Sequence, residues 1–241
     1  DPSLAEVKKA YLDATKAFEL ILTQTEEVTG LPPSLLQLAA QSFVQSRQAK
    51  PEGETTAATP EAGPWRISLD GPIVTPFLQH SRQRDLRETV YRAFITRAST
   101  GDWDNSESIS KILKLRREKA ELLGFRSFAE VSLAEKMAPG VVAVEEMFEK
   151  LRAASRAPAE YELAELKTLA TSGGQTEEFK HWDAAFWAER LREQRFDYTD
   201  EQLRPYFPLP GVLDGLFALL TKLLGITIRA ADGEAPVWHP D

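Results

Sequence analysis

The chain has 241 residues, 42% hydrophobic and 27% charged, and a formal net charge of −8. That length holds one large domain or two small ones. The acid excess, with no basic stripe, argues against binding along a phosphate backbone. Cysteine is absent, which excludes disulfides, thiolate nucleophiles and thiolate metal sites and fits a reducing or organellar interior.

In chain order, Ser3 is placed to cap a helix. Leu4, Val7, Tyr11, Ala14, Phe18, Ile21 and Leu22 then extend an apolar stripe that stops at Gly30. Pro32-Pro33-Ser34 opens a second helix to about Gln48. The sharpest composition change follows, from Ala49 to Pro64. Small, polar and proline-rich, residues 49–64 cannot bury enough to offset their ordering entropy, so they are expected to form a flexible surface insertion. Trp65–Leu69 alternates as a strand does, and Asp70-Gly71-Pro72 is a turn. Helices are predicted over 73–81 and 83–98.

The stretch from Trp103 to Met137 reads as a helical hairpin. Asn105 or Ser106 caps a helix whose stripe is Ile109, Ile112, Leu113, Arg116, Ala120 and Leu123. Gly124 supplies the left-handed stop. Ser127 with Glu130 three residues on then forms a capping box for the next helix. Residues 141–172 carry a helical period, and Pro158 inside it predicts a kink or break. Asp183 is placed to cap a short aromatic helix, Asp200 opens another, and the last helix spans 212–224. Ile226–Ile228 reads as a strand, and 237–241 as the start of one more. The longest apolar run, Gly211 to Ile228, is interrupted by Asp214 and Thr221-Lys222, so no segment is expected to cross a bilayer. The first residues, Asp1-Pro2-Ser3, read as a processed or cut start.

Few residues offer chemistry. His80, His181 and His239 are the histidines, and no two stand four apart, so no HExxH helix can present two imidazoles to zinc. Asp102, Asp104 and Ser106 begin like a calcium loop, but Glu107 replaces the required glycine and Leu113 the bidentate glutamate. The capping role is the better reading. Trp182, Phe186, Trp187 and Phe196 could receive peptide side chains, though a helix-face aromatic group is more often core. No catalytic, cofactor-binding or metal residue is assigned.

Several blocks together resemble a known family. They are the run Arg87 to Ser99, then Trp103-Asp104-Asn105, Ile112 to Arg116, and Leu122-Leu123-Gly124-Phe125. His181-Trp182-Asp183 with Phe186-Trp187, Glu201 to Phe207, Gly215-Leu216-Phe217, Gly225-Ile226 and Ala231 to Asp241 follow in the same order. From about Trp65 onward the chain resembles the thimet-type zinc oligopeptidases, in particular the oligopeptidase A and plant organellar oligopeptidase branch. The resemblance implies a mainly α fold, a multi-helix lobe of a zincin-like oligopeptidase with a few short strands. All of residues 1–241 would then be a partial oligopeptidase helical region.

It also implies a metalloprotease, a hydrolase degrading short unfolded peptides such as targeting peptides, in a chloroplast or mitochondrion; the alternative is the cytoplasm. Zinc is implied for the full-length family, whose HExxH lies beyond the Trp238-His239-Pro240-Asp241 segment. No zinc is therefore expected in this chain, which is expected to be inactive alone. Its expected partner is its own downstream catalytic half or another protein subunit. The other reading is a naturally truncated, catalytically inactive relative, a pseudoenzyme serving as a binding or scaffolding subunit.

Overall fold

The computed structural model describes residues 2–48, 57–231 and 233–234. The chain divides into two compact units, Asp1–Arg195 and Phe196–Asp241. It is mainly α, as expected, with one two-stranded antiparallel sheet among the described residues.

The first unit is centred on that sheet. Helix α1 (Pro2–Ala17) ends well before Gly30, and strand β1 (Leu20–Leu22) pairs with β2 (Trp65–Ile67) in the register Leu20↔Ile67, Ile21↔Arg66, Leu22↔Trp65. The single long helix expected up to Gly30 is thus corrected. Phe18, Ile21 and Leu22 fit a helical period, but Leu20–Leu22 also matches the pleat of β2, and there Leu22 and Ile67 lose all exposure. The turn after β1 is held by the Glu27 carboxylate, which accepts the Thr23 and Gln24 N–H groups at 2.9 Å each.

Helix α2 (Pro33–Gln48) lies against this pair of strands and contributes Leu35, Ala39 and Ala40 to the core. Of the expected insertion, residues 49–56 lie outside the described residues. Thr59 and Gly63 bridge across a tight turn, and the Trp65 indole N–H donates to the Pro60 carbonyl at 3.1 Å. Gly63 has φ of +66°, and a Cβ there would stand 2.6 Å from the Trp65 ring, so glycine suits both the conformation and the space.

Helices α3 (Gly71–His80) and α4 (Arg84–Ile95) complete the core with Ile73, Val74, Phe77 and Val90. Helix α5 (Ser106–Leu122) packs on α1. Of its expected apolar stripe, Ile112 and Ala120 are buried while Ile109, Leu113 and Leu123 remain exposed. Its end follows the sequence reading: Gly124 has φ of +77°, its N–H reaches the Glu121 carbonyl, and the Phe125 N–H reaches that of Ala120. Ser127 then caps α6 (Phe128–Leu133) by accepting the Glu130 N–H. The Glu130 carboxylate reaches back to the Arg126 N–H, one residue earlier than the capping box anticipates.

Helix α7 (Val141–Ser172) runs on through Pro158 without the expected break. Residues 145–164 are exposed around the whole helix. The Ala154 carbonyl, which loses its partner to the proline, can therefore turn to water. Helix α8 (His181–Phe196) closes the unit.

The second unit contains the short α9 (Asp200–Leu203), a 3-10 turn over Arg204–Tyr206, and α10 (Leu209–Leu224), which Gly225 stops at φ of +67°. The strand expected at Ile226–Ile228 does not form. The run is β-branched but pairs with no strand among the described residues, and an unpaired strand has no ladder to stabilise it. The strand expected at 237–241 lies outside the described residues. No described helix is long and apolar enough to cross a membrane.

Truncating a residue inside this core should differ sharply from truncating the open stripe. Phe77→Ala should lower the unfolding free energy by about 3–5 kcal/mol. Leu113→Ala, at a position 60% exposed, should stay within about 0.5 kcal/mol. Urea unfolding of both variants checks the contrast.

Candidate functional site

The most constrained polar arrangement is the seam between α4 and α8. Arg84 and Arg87, three apart, project from the same side of α4. Both reach Asp183 in the first turn of α8. Arg84 Nε and Nη2 donate to Oδ1 and Oδ2 at 3.0 and 2.9 Å, and Arg87 Nη2 donates to Oδ1 at 3.0 Å. The Lys180 N–H adds 2.9 Å to Oδ2, and Gln175 Nε2 adds 3.2 Å.

The remaining Arg87 donors go to the carbonyls of Ser81 and Trp182. Asp183 is wholly buried and Arg87 3% exposed. Asp183 was expected to cap the helix. Instead the helix already begins at His181, and the carboxylate reaches back to the free N–H of Lys180 while receiving two guanidinium groups.

Aromatic rings sheathe these charges. Arg84 and Arg92 lie over the Trp182 ring at 5.5 and 4.9 Å, and Arg87 and Arg190 lie over Phe186 at 4.3 and 5.0 Å. Trp182 is buried and Phe186 and Trp187 are half-buried. The latter two meet edge to face at 5.2 Å, and Trp187 Nε1 donates to Gln175 Oε1 at 2.7 Å. Phe196, the fourth aromatic singled out from the sequence, is exposed. The Trp182 indole N–H is buried with no acceptor.

Burial alone would push the Asp183 carboxyl up. The hydrogen bonds from Arg84, the Lys180 N–H and Arg87 outweigh it and hold the group below the ordinary carboxylate range. The hydrogen bond to Asp183 raises Arg84. Burial lowers Arg87 despite the same partner, though a guanidinium stays charged at any ordinary pH.

The histidines do not converge. His80, the last residue of α3, accepts from Arg190 of α8 at 3.2 Å. With Glu189 and Glu193 it forms the one group among the described residues whose donor atoms could surround a metal, all within 4.8 Å of one another. Glu189 is forked by Arg192 and Glu193 is bound by Arg190 at 2.8 Å. His181 is exposed and stacks on Tyr91 with ring centroids 6.2 Å apart. His239 lies outside the described residues.

At the former calcium-loop candidate, Asp104 Oδ1 accepts the Ser106 N–H at 2.9 Å and the Ser106 hydroxyl at 2.7 Å. Asn105 is buried and donates to the Val7 carbonyl at 3.0 Å, which ties α5 to α1. Asn105 stands at the N-cap position of α5, as expected, but its side chain does not cap; the carboxylate of Asp104 takes the Ser106 N–H instead. The open surface includes a cleft of about 1120 Å³ beside the α6–α7 connection, lined in part by Phe125, Leu133, Met137 and Val141.

Arg84 and Arg87 were not singled out as site residues. Their three-residue spacing and the His-Trp-Asp sequence were visible, but nothing local marks an arginine as facing inward. Removing the carboxylate by Asp183→Ala should leave Arg87 buried without its counter-charge and cost about 3–5 kcal/mol. Because the folded carboxyl is depressed, its contribution is full above the unfolded value near pH 4 and disappears as pH falls through the lower folded value. Unfolding midpoints measured from pH 7 down to about pH 2 should show the wild type losing its advantage over Asp183→Ala in that acid range.

With this geometry in hand, the sequence finds clear relatives. A family model described as Peptidase family M3 matches residues 77–241. The chain is 51% identical over 232 residues to the "Probable cytosolic oligopeptidase A" of Arabidopsis thaliana, covering 95% of this chain and 32% of that protein. It is 50% identical over 232 residues to the "Organellar oligopeptidase A, chloroplastic/mitochondrial" of the same plant, covering 95% and 28%. To the "Oligopeptidase A" of Escherichia coli it is 36% identical over 235 residues, covering 95% and 32%. The chain spans about a third of the length of these relatives. On the extent of the family match, the chain belongs to peptidase family M3.

Proposed function

We propose that this chain is the upstream, helix-rich part of a zinc oligopeptidase that cleaves short unfolded peptides inside a chloroplast or mitochondrion. The observation that supports it most is the half-identity to two plant oligopeptidases along nearly the whole chain, one of them named for those organelles. The cytosolic relative is as similar, so the compartment rests on the organellar name alone. Immunolocalisation in the source cells should place the chain in an organelle, and a purely cytosolic signal would remove that part of the proposal.

Zinc is the metal that the resemblance implies, and the described residues do not fit it. The donor group at His80, Glu189 and Glu193 already holds guanidinium groups from Arg190 and Arg192. No hydrolytic step is assigned to any residue here. The role read for the chain is to supply walls and rigid support to a catalytic part that brings its own metal ligands.

Open apolar faces support that role. Met147, Phe148, Leu151 and Tyr161 are exposed on α7, and Ile109 and Leu113 on α5. Within the second unit, Val212, Leu216, Phe217 and Leu224 of α10 are also exposed. Each large side chain left in water forgoes roughly 1.5–3 kcal/mol, and contiguous apolar patches beyond a few hundred Å² usually mark interaction surfaces. The occupant we assign is the downstream half of the same enzyme.

The 241-residue chain alone should bind a hydrophobic dye, self-associate on size-exclusion chromatography and leave a quenched peptide uncleaved. Mixing it with the downstream half should suppress dye binding and give chelator-sensitive cleavage. A dye-silent, cooperative monomer would refute the covering role. Stoichiometric zinc with turnover by this chain alone would refute its supporting role.

A further inference from the structure

The His80, Glu189 and Glu193 group has one more property than its donor set. A cation is already inside it. Arg190 Nη2 stands 3.2 Å from His80 Nδ1 and 2.8 Å from Glu193 Oε1, and Arg190 Nε stands 2.7 Å from Glu193 Oε2. That last contact is an ion pair without hydrogen-bond geometry. The stem of the same arginine carries its guanidinium over the Phe186 ring at 5.0 Å. Glu189, 6% exposed, is fixed by the Arg192 fork.

Imidazole and carboxylates one helical turn apart are ordinary ligands for zinc and related divalent ions. Here the donors come from two elements, the end of α3 and the middle of α8. We propose that Arg190 is a built-in cation that holds His80 and Glu193 together, beside the Arg192-bound Glu189, in place of a metal ion and so pins α3 to α8. Two features follow from the geometry. Because a guanidinium only donates, His80 Nδ1 is the acceptor and the ring proton sits on Nε2. Removing the Arg190 charge withdraws the cation from between His80 and Glu193, and a divalent ion supplies such a charge.

Arg190→Met keeps an apolar stem over Phe186 and withdraws the guanidinium. In the full chain, this variant should unfold at lower temperature than wild type and recover when zinc is added. It should also bind cobalt(II), followed by its visible absorption, about 10–100-fold more tightly than wild type. The double variant His80→Ala/Arg190→Met should lose both the recovery and the absorption. Equal cobalt binding by wild type through His80 would overturn the proposal, because the triad would then be an ordinary metal site. No metal response in a folded Arg190→Met would overturn it as well, because the donors would not be arranged around a cation. If Arg190→Met fails to fold, ring nitrogen NMR of wild-type His80 decides. A neutral ring protonated at Nε2 supports the arrangement, and a proton on Nδ1 overturns it.

Discussion

The arrangement on which the first unit depends is the buried carboxylate of Asp183 between Arg84 and Arg87. It joins two helices about a hundred residues apart in the chain. Replacing such a group by well-packed apolar side chains often costs nothing, so net stabilisation is a poor account of why it is there. Its directionality explains more. An apolar contact between α4 and α8 would tolerate a shift along or around either helix. A carboxylate receiving Arg84 on both oxygens, Arg87 on one and the Lys180 N–H on the other sets the position of α8 relative to α4. The rings of Trp182 and Phe186, each under two guanidinium groups, exclude water from the charges and strengthen every contact among them.

Much of the helical layout was legible because its signals are local. Gly124, Ser127 with Glu130, and the Pro32-Pro33-Ser34 entry each act within a turn of their own position, and each marks a boundary close to the observed one. Errors arose where a distant segment decides the outcome. The stretch Phe18–Leu22 carries a valid helical stripe, yet Trp65–Ile67, more than forty residues on, draws Leu20–Leu22 into a sheet. Ile226–Ile228 has strand composition but no strand partner among the described residues, and it is irregular. Pro158 reads as a kink or break from its missing N–H and its clash with the preceding turn; the helix continues through it where α7 is exposed and the orphaned carbonyl has access to water.

The candidate site was less legible for the same reason. Two arginines three apart on a helix look like a solvated face, and only their distant aspartate reverses that reading. Asp183 was visible as a residue at a helix start, which is half of its role. The other half, as counter-charge to α4, needs the tertiary fold. His80 shows the opposite pattern. A lone histidine with no neighbour at helical spacing reads as a structural or surface residue, and His80 stands against Arg190 alongside two carboxylates on another helix.

Burial is unevenly distributed along the chain. The contiguous apolar core draws its buried members from residues between Leu22 and Val90, whereas α5 contributes only Ile112 and Ala120, and α7 only Ala170 near its end. A helix such as α7 pairs its interior backbone groups within itself, but most helical stability in proteins comes from tertiary packing of one face. Its exposed stretch, residues 145–164, has neither a packed face nor a polar one throughout, since Met147, Phe148, Leu151 and Tyr161 alternate with ion pairs such as Glu149–Arg152 and Arg156–Glu160. Those exposed pairs each contribute little, so they do not offset the exposure of the apolar positions between them. A polar substitution at Phe148 or Leu151 would carry no packing penalty in this chain as it stands. Large apolar residues there, beside a sheet-centred core that draws its buried members from elsewhere, form an open face of the kind that marks an interaction surface.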